Sequence, residues 1–150
     1  MNCSLSFRWV PVVVLLLGLA LGPASITSAG LAPCQEQDPA TDEADAEIVE
    51  KLAELNKLVE SGKVPKALTE VRKLYKESGH LRAGYALSQL IAQRCETLAK
   101  SNRKKAHELF VEGGELAREL LANPEFPDAV REEVRSAIYN QACSEAVMED

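Results

Sequence analysis

Two short stretches, SGKVPKAL at residues 61–68 and KSNRKKAH at residues 100–107, decide how this chain folds. Each separates two runs whose apolar residues recur at spacings of three and four, and each reads as a turn. In the first, Ser61-Gly62 ends one helix. Pro65 suits the opening turn of the next, where a missing N–H and a fixed φ are tolerated. In the second, Ser101 or Asn102 serves as the helix cap. When the two are aligned, Lys66-Ala67 falls over Lys105-Ala106 and Val71 over Phe110. The offset is about 40 residues, within the range of helix-pair repeats. A small alanine early in the second helix of each pair lets its partner pack closely across the hairpin.

Working outward, Ile48, Val49, Leu52, Leu55, Leu58 and Val59 form one stripe, capped at Thr41 or Asp42. The second helix shows Ala67, Leu68, Val71, Leu74 and Tyr75 on one face, with Lys66, Glu70, Arg72, Lys73 and Lys76 opposite, and stops at Gly79. A third, from Leu81 to Lys100, carries Ala83, Leu87, Leu90, Ile91, Cys95 and Leu98. The fourth runs to Ala122 with Ala106, Leu109, Phe110, Gly113, Leu116, Ala117, Leu120 and Leu121 inward. Gly113-Gly114 each cost about 1 kcal/mol against Ala inside a helix, so either a neighbouring backbone comes close or the helix bends. The stretch ANPEFP ends that helix firmly. Asp128 opens a fifth, with Val130, Val134, Ala137, Ile138 and Ala142 inward. No run of alternating β-branched residues is present, so the sequence predicts an all-α fold of about five helices, stacked as antiparallel hairpins, over residues 43–150.

The N-terminal region has a different composition. One positive charge at Arg8, an apolar run from Val10 to Leu21 and the small residues of PASITSAG make the three-part layout of a secretory signal peptide. The apolar run is about a dozen residues, short of the roughly 20 a membrane span needs. Cleavage is expected after Ala29, making 1–29 the signal peptide and the protein exported, periplasmic or secreted. Residues 30–42 are acidic, Pro-containing and too polar to supply a core, and read as a disordered leader. Within it LAPC, ending at Cys34, has the outline of a lipobox. Pro33 stands where Gly or Ala is needed, so a lipid anchor at Cys34 is not expected. The full chain carries a formal charge of −6; loss of Arg8 takes it to about −7. That balance, with basic residues scattered along the chain, is a poor match for a nucleic-acid footprint.

Two stretches resemble a tetratricopeptide (TPR) repeat. GKVPKAL at residues 62–68 is similar to the family's Gly-Asp-x-x-x-Ala turn, and AIYNQAC at 137–143 is similar to the opening of its first helix. The chain departs from the pattern at Gln141 and Glu145, where apolar residues are usual, and at Leu55, where a small residue is usual. Gln141 and Glu145 would suit the exposed side of a terminal, capping helix. The resemblance implies a stack of helix hairpins whose first helices line a concave face for peptides. Carried over by position, Asn56, Gln93 and Asn140 face that groove. Cys95 and Cys143 fall on first helices that would be neighbours in the stack, so a disulfide between them is expected in an oxidising compartment.

Motifs for chemistry are sparse. There is no Cys-x-x-Cys. HELFVEGGE lacks the second His of a zincin helix, because Val111 stands in its place. His80 and His107 have no neighbours in sequence that would complete a metal site, and capping or surface roles are expected for them. Glu132-Glu133 are expected to balance Arg131 and Arg135. No catalytic residue, metal or cofactor is expected. The sequence thus points to an exported helical scaffold that binds a protein or peptide partner. The alternatives are the N-terminal helical module of a larger secreted, thioredoxin-like protein, or a helical bundle that binds a small molecule.

Overall fold

Both turns appear where the quoted stretches place them. The computed structural model describes residues 39–148. The signal segment 1–29, residues 30–38 with Cys34, and residues 149–150 lie outside the described residues. The described chain folds as α1 (Pro39–Glu60), α2 (Val64–Ser78), α3 (Leu81–Ala99), α4 (Arg103–Ala122) and α5 (Asp128–Met148), and no strand occurs among the described residues. The fold is all-α. One boundary moves: α1 begins at Pro39, so residues 39–42, read as the end of a disordered leader, are helical. Proline at the first position explains this, because the N–H it lacks would have no intrahelical partner there.

Local chemistry accounts for the ends. Gly62 has φ 76° and Gly79 φ 64°, left-handed conformations that cost an L side chain roughly 1–2 kcal/mol. Gly79 closes α2, its N–H donating to the Tyr75 carbonyl. Asn102 caps α4, its side chain accepting from the Lys105 N–H at 3.1 Å. His80 caps α3: its Nδ1 accepts from the Arg82 N–H at 3.2 Å. The ring proton therefore sits on Nε2, which meets Asp45 Oδ1 of α1 at 2.6 Å.

Short connections make successive helices antiparallel. Each packs chiefly on its neighbours in sequence, while α1, α3 and α5 also touch in turn. The odd-numbered helices thus form one layer and α2 and α4 the other. Polar ties reinforce both layers. Asp45 joins α1 to His80, and Tyr85 of α3 donates to Glu133 of α5 at 2.6 Å. In the second layer Arg72 of α2 donates twice to Glu112 of α4, at 2.6 and 2.8 Å, and Tyr75 donates to Glu119 at 2.7 Å. Glu133 is thereby taken by a tyrosine, and of the expected acidic pair only Glu132 meets Arg135.

The core centres on α3, which touches all four other helices. Ala83, Gly84, Tyr85, Ala86, Leu87 and Ser88 are buried in succession, so this segment is covered all round and not along one stripe. Glycines set its distance from α4. A Cβ on Gly84 would stand 2.7 Å from Leu120 and 2.8 Å from Tyr75. On α4, a Cβ on Gly113 would meet Ile91 of α3 at 3.0 Å, and one on Gly114 would overlap the Gln141 side chain of α5. At the glycine pair, side chains of α3 and α5 come close to the α4 backbone.

Two corrections concern helix faces. Val49, placed on the α1 stripe, is 42% exposed, because Ile48 and Leu52 take the inward position. On α5, Ala142 is exposed while Gln141 is buried at 9%. Arg118 donates to the Gln141 carbonyl oxygen at 2.9 Å, and Gln141 donates to Glu145 at 2.7 Å. The amide is buried because Gly114 opens a space for it and both of its ends are hydrogen-bonded.

The connection from α4 to α5 is held by Phe126, 2% exposed, with the Arg131 guanidinium 6.0 Å from its ring centre. Arg131 donates to the Leu121 and Asn123 carbonyls at 3.0 and 3.1 Å, satisfying the open end of α4. Phe126→Ala is expected to cost about 3–5 kcal/mol and Gly84→Ala about 1–3 kcal/mol from overpacking. Urea denaturation followed by circular dichroism measures both. A Gly84→Ala variant more stable than the parent would show that α3 and α4 do not need their close approach.

Candidate functional site

The open face of the odd-numbered layer is the candidate site, and helical geometry says which residues reach it. On α3, Gly84, Ile91 and Cys95 point at α4. Gln93, two residues past Ile91, lies about 200° round the helix and so on the far side. Gln89, one turn earlier, shares that face. On α1, Asp45 marks the edge that meets α3; Asn56 falls within about 20° of the same direction three turns on, with Val49 between them. On α5, Glu133 marks the edge that meets α3, and Asn140 lies within about 20° of it two turns on. Each amide sits in the C-terminal half of its helix.

All three are half-buried. No hydrogen bond joins them to one another among the described residues. Asn56 donates to Glu60 at 3.0 Å along its own helix. The Gln93 side-chain oxygen is buried with no hydrogen-bond partner, a state that costs about 1–3 kcal/mol. Three carboxamides, each both donor and acceptor, beside the exposed Val49 make a surface suited to an extended backbone with an apolar side chain. The sequence reading missed Val49 as part of it. The adjacent pair Ile48-Val49 was the available signal, since two successive helical residues cannot both point at the core's centre.

The expected disulfide is not formed. Cys95 is fully buried at the α3–α4 contact, its Sγ 3.8 Å from the Ala106 carbonyl oxygen, and Cys143 is half-buried on α5 with no bond to it. Cys95 points at α4 and Cys143 belongs to α5, so neighbouring helices do not bring the sulfurs together. Burial, helped by Glu112 and Glu96, pushes the Cys95 thiol up to about 12, which keeps it protonated and unreactive. His107 Nδ1 lies 3.0 Å from the Ser144 hydroxyl, and no group of three His, Cys, Asp or Glu placed to hold a metal occurs among the described residues. No helix among the described residues is long and apolar enough to cross a membrane.

Two tyrosines are also shifted upward by burial and by their carboxylate partners: Tyr75, beside Glu119, to about 12, and Tyr85, beside Glu133, further still. Both hold the neutral phenol as donor.

No protein-family model matches this chain, and no curated protein and no solved structure matches it.

Two outcomes follow from these environments. Iodoacetamide under native conditions is expected to modify Cys143 well before Cys95, read by peptide mass spectrometry; equal rates would contradict the closed α3–α4 contact. Because folding raises the Tyr75 pKa from 10.0 to about 12, the folded state holds that proton more tightly. The associated stability is present below pH 10 and lost as pH rises toward about 12. Denaturation midpoints measured across that window should fall less for Tyr75→Phe than for the parent.

Proposed function

We propose that this chain is an exported helical scaffold that binds a protein or peptide segment along the face formed by α1, α3 and α5. The observation that carries the reading is the Gln93 side-chain oxygen, buried and without a hydrogen-bond partner where Asn56 and Asn140 flank it. Rotation of the half-buried Gln93 side chain toward the face would offer this oxygen to the N–H of a bound backbone, which would remove that cost on binding. The TPR-like residues at 62–68 and 137–143 support the same reading, since the resemblance implies a groove on the first helices of each hairpin. Export rests on the layout of residues 1–29. No residue of the chain is assigned a catalytic role. A second reading, a module within a larger exported protein, is favoured by Tyr139, 65% exposed on α5, where a further helix would pack.

Panning a peptide library on the chain from Gly30 to Asp150 tests the proposal. Selected peptides should lose affinity by about tenfold, the equivalent of one hydrogen bond to a buried acceptor, on Gln93→Leu. The same variant should be at least as stable as the parent without peptide. Glu125→Gln, remote from the face, should bind normally. Failure to select any peptide, or selected peptides indifferent to Gln93, Asn56 and Asn140, would remove the role of this face.

A further inference from the structure

The fold gathers basic residues that look scattered along the sequence. Helices α1, α3 and α5 run one way and α2 and α4 the other, so the α1–α2 turn, the α3–α4 turn and the end of α5 share one end of the molecule. The hydrogen bond from His107 to Ser144 fixes the start of α4 beside the end of α5. At this end Lys63 and Lys66 project from the first turn, and Lys100, Arg103, Lys104 and Lys105 from the second; all are exposed. None has a carboxylate within ion-pair distance among the described residues. Toward the opposite end most cations are paired, Lys76 excepted. There Lys51 pairs with Glu47, Arg82 with Asp45, Lys73 with Glu77, Arg131 with Asp128 and Arg135 with Glu132.

The cluster works against local stability. Arg103, Lys104 and Lys105 occupy the first turn of α4, which holds no acidic residue, so their charges oppose the positive end of the helix dipole. Of the acidic residues at this end, Glu60 already accepts from Asn56 and Glu145 from Gln141; Glu70, Glu96 and Glu108, four residues from Lys66, Lys100 and Lys104, are the others nearby, with Glu149 and Asp150 outside the described residues. Beside the cluster, at the end of α5, Val147 and Met148 are 50% and 45% exposed. Basic side chains that reach outward next to exposed apolar ones match an anionic lipid surface, which attracts the charges and accepts the apolar tips. The five aromatic residues of the described chain include none on these two turns, so the stacking platform that single-stranded nucleic acid uses is missing.

We propose that this end of the molecule is a peripheral docking surface for anionic lipid headgroups, with the helices standing roughly along the membrane normal and the opposite, charge-paired end directed away. The inference is independent of the peptide-binding face, which lies along the helices and stays open in this orientation.

Vesicle co-sedimentation of the chain from Gly30 to Asp150, which contains every helix described, tests it. Vesicles of phosphatidylcholine mixed with phosphatidylglycerol should bind the chain, and phosphatidylcholine alone should not. Binding should fall with added salt and by about fivefold for each basic residue neutralised among the six, hence by more than tenfold in the double variant Lys104→Gln, Lys105→Gln. Lys76→Gln, at the opposite end, should leave it unchanged, and circular dichroism checks that each variant is folded. Equal binding to both vesicle types, or an equal loss with Lys76→Gln, would overturn the proposal. So would retention by a DNA duplex without retention by anionic vesicles, which would reassign the surface to nucleic acid.

Discussion

Two adjacent glycines in α4 set the spacing of three helices. Gly113 faces Ile91 of α3 and Gly114 faces Gln141 of α5, so a single turn of α4 accepts a neighbour on each side. Removing Cβ at both positions lowers helix propensity by about 1 kcal/mol each. What it allows is contact along two interfaces at once, including the burial of Leu116, Ala117, Leu120 and Val134. Gly84 does the same on α3 for Leu120 and Tyr75. The layered stack depends on these close approaches.

That constraint explains the buried polar groups. Where Gly114 leaves room, an amide fits and an apolar side chain of similar length would leave Arg118 and Glu145 without their partner. Gln141 therefore works as a bridge between α4 and α5, oriented by a donor at one end and an acceptor at the other. The tyrosines act similarly between helices two apart in sequence. Each packs a ring in the layer and donates a hydrogen bond from its hydroxyl to a carboxylate on the next helix but one. Apolar contact gives the helices their cohesion; these directed bonds fix how far one helix slides along another.

The hairpins were readable in the sequence because their signals are local: Gly62 and Gly79 as left-handed stops, Pro65 as a starter, Asn102 as a cap, and stripes such as Ala67, Leu68, Val71 and Leu74 at helical spacing. Properties of the assembled stack were not. The all-round burial of α3 depends on how many helices surround it, and a one-face reading could not include Tyr85 and Ser88. Gln141 looked exposed because polarity alone does not reveal that Gly114, far along the chain, makes a place for it. The reading of Cys95 and Cys143 as a bridge used only the order of helices, whereas bridging requires two sulfurs to point at each other, and Cys95 points at α4. For the candidate face, Asn56, Gln93 and Asn140 could be assigned to their helices, but the unsatisfied oxygen of Gln93 exists only once the stack has closed over it.

The same distinction bears on charge. At the first turn of α4 the cap is satisfied by Asn102, yet three successive cations without carboxylate partners oppose the helix dipole, at the end of the stack where two turns meet. A chain under pressure only to fold would gain from an acidic residue at position 103, 104 or 105, where it would complement both the helix dipole and Lys100. Local departures of this kind are expected where a surface serves something beyond the fold. Gln93 is the second such departure, of a different kind: a buried acceptor left without a donor. One departure is electrostatic and lies at the end of the helices; the other is a missing hydrogen bond and lies along them. Neither contributes to holding the stack together, so each can be changed without dismantling the glycine-set contacts on which the stack depends.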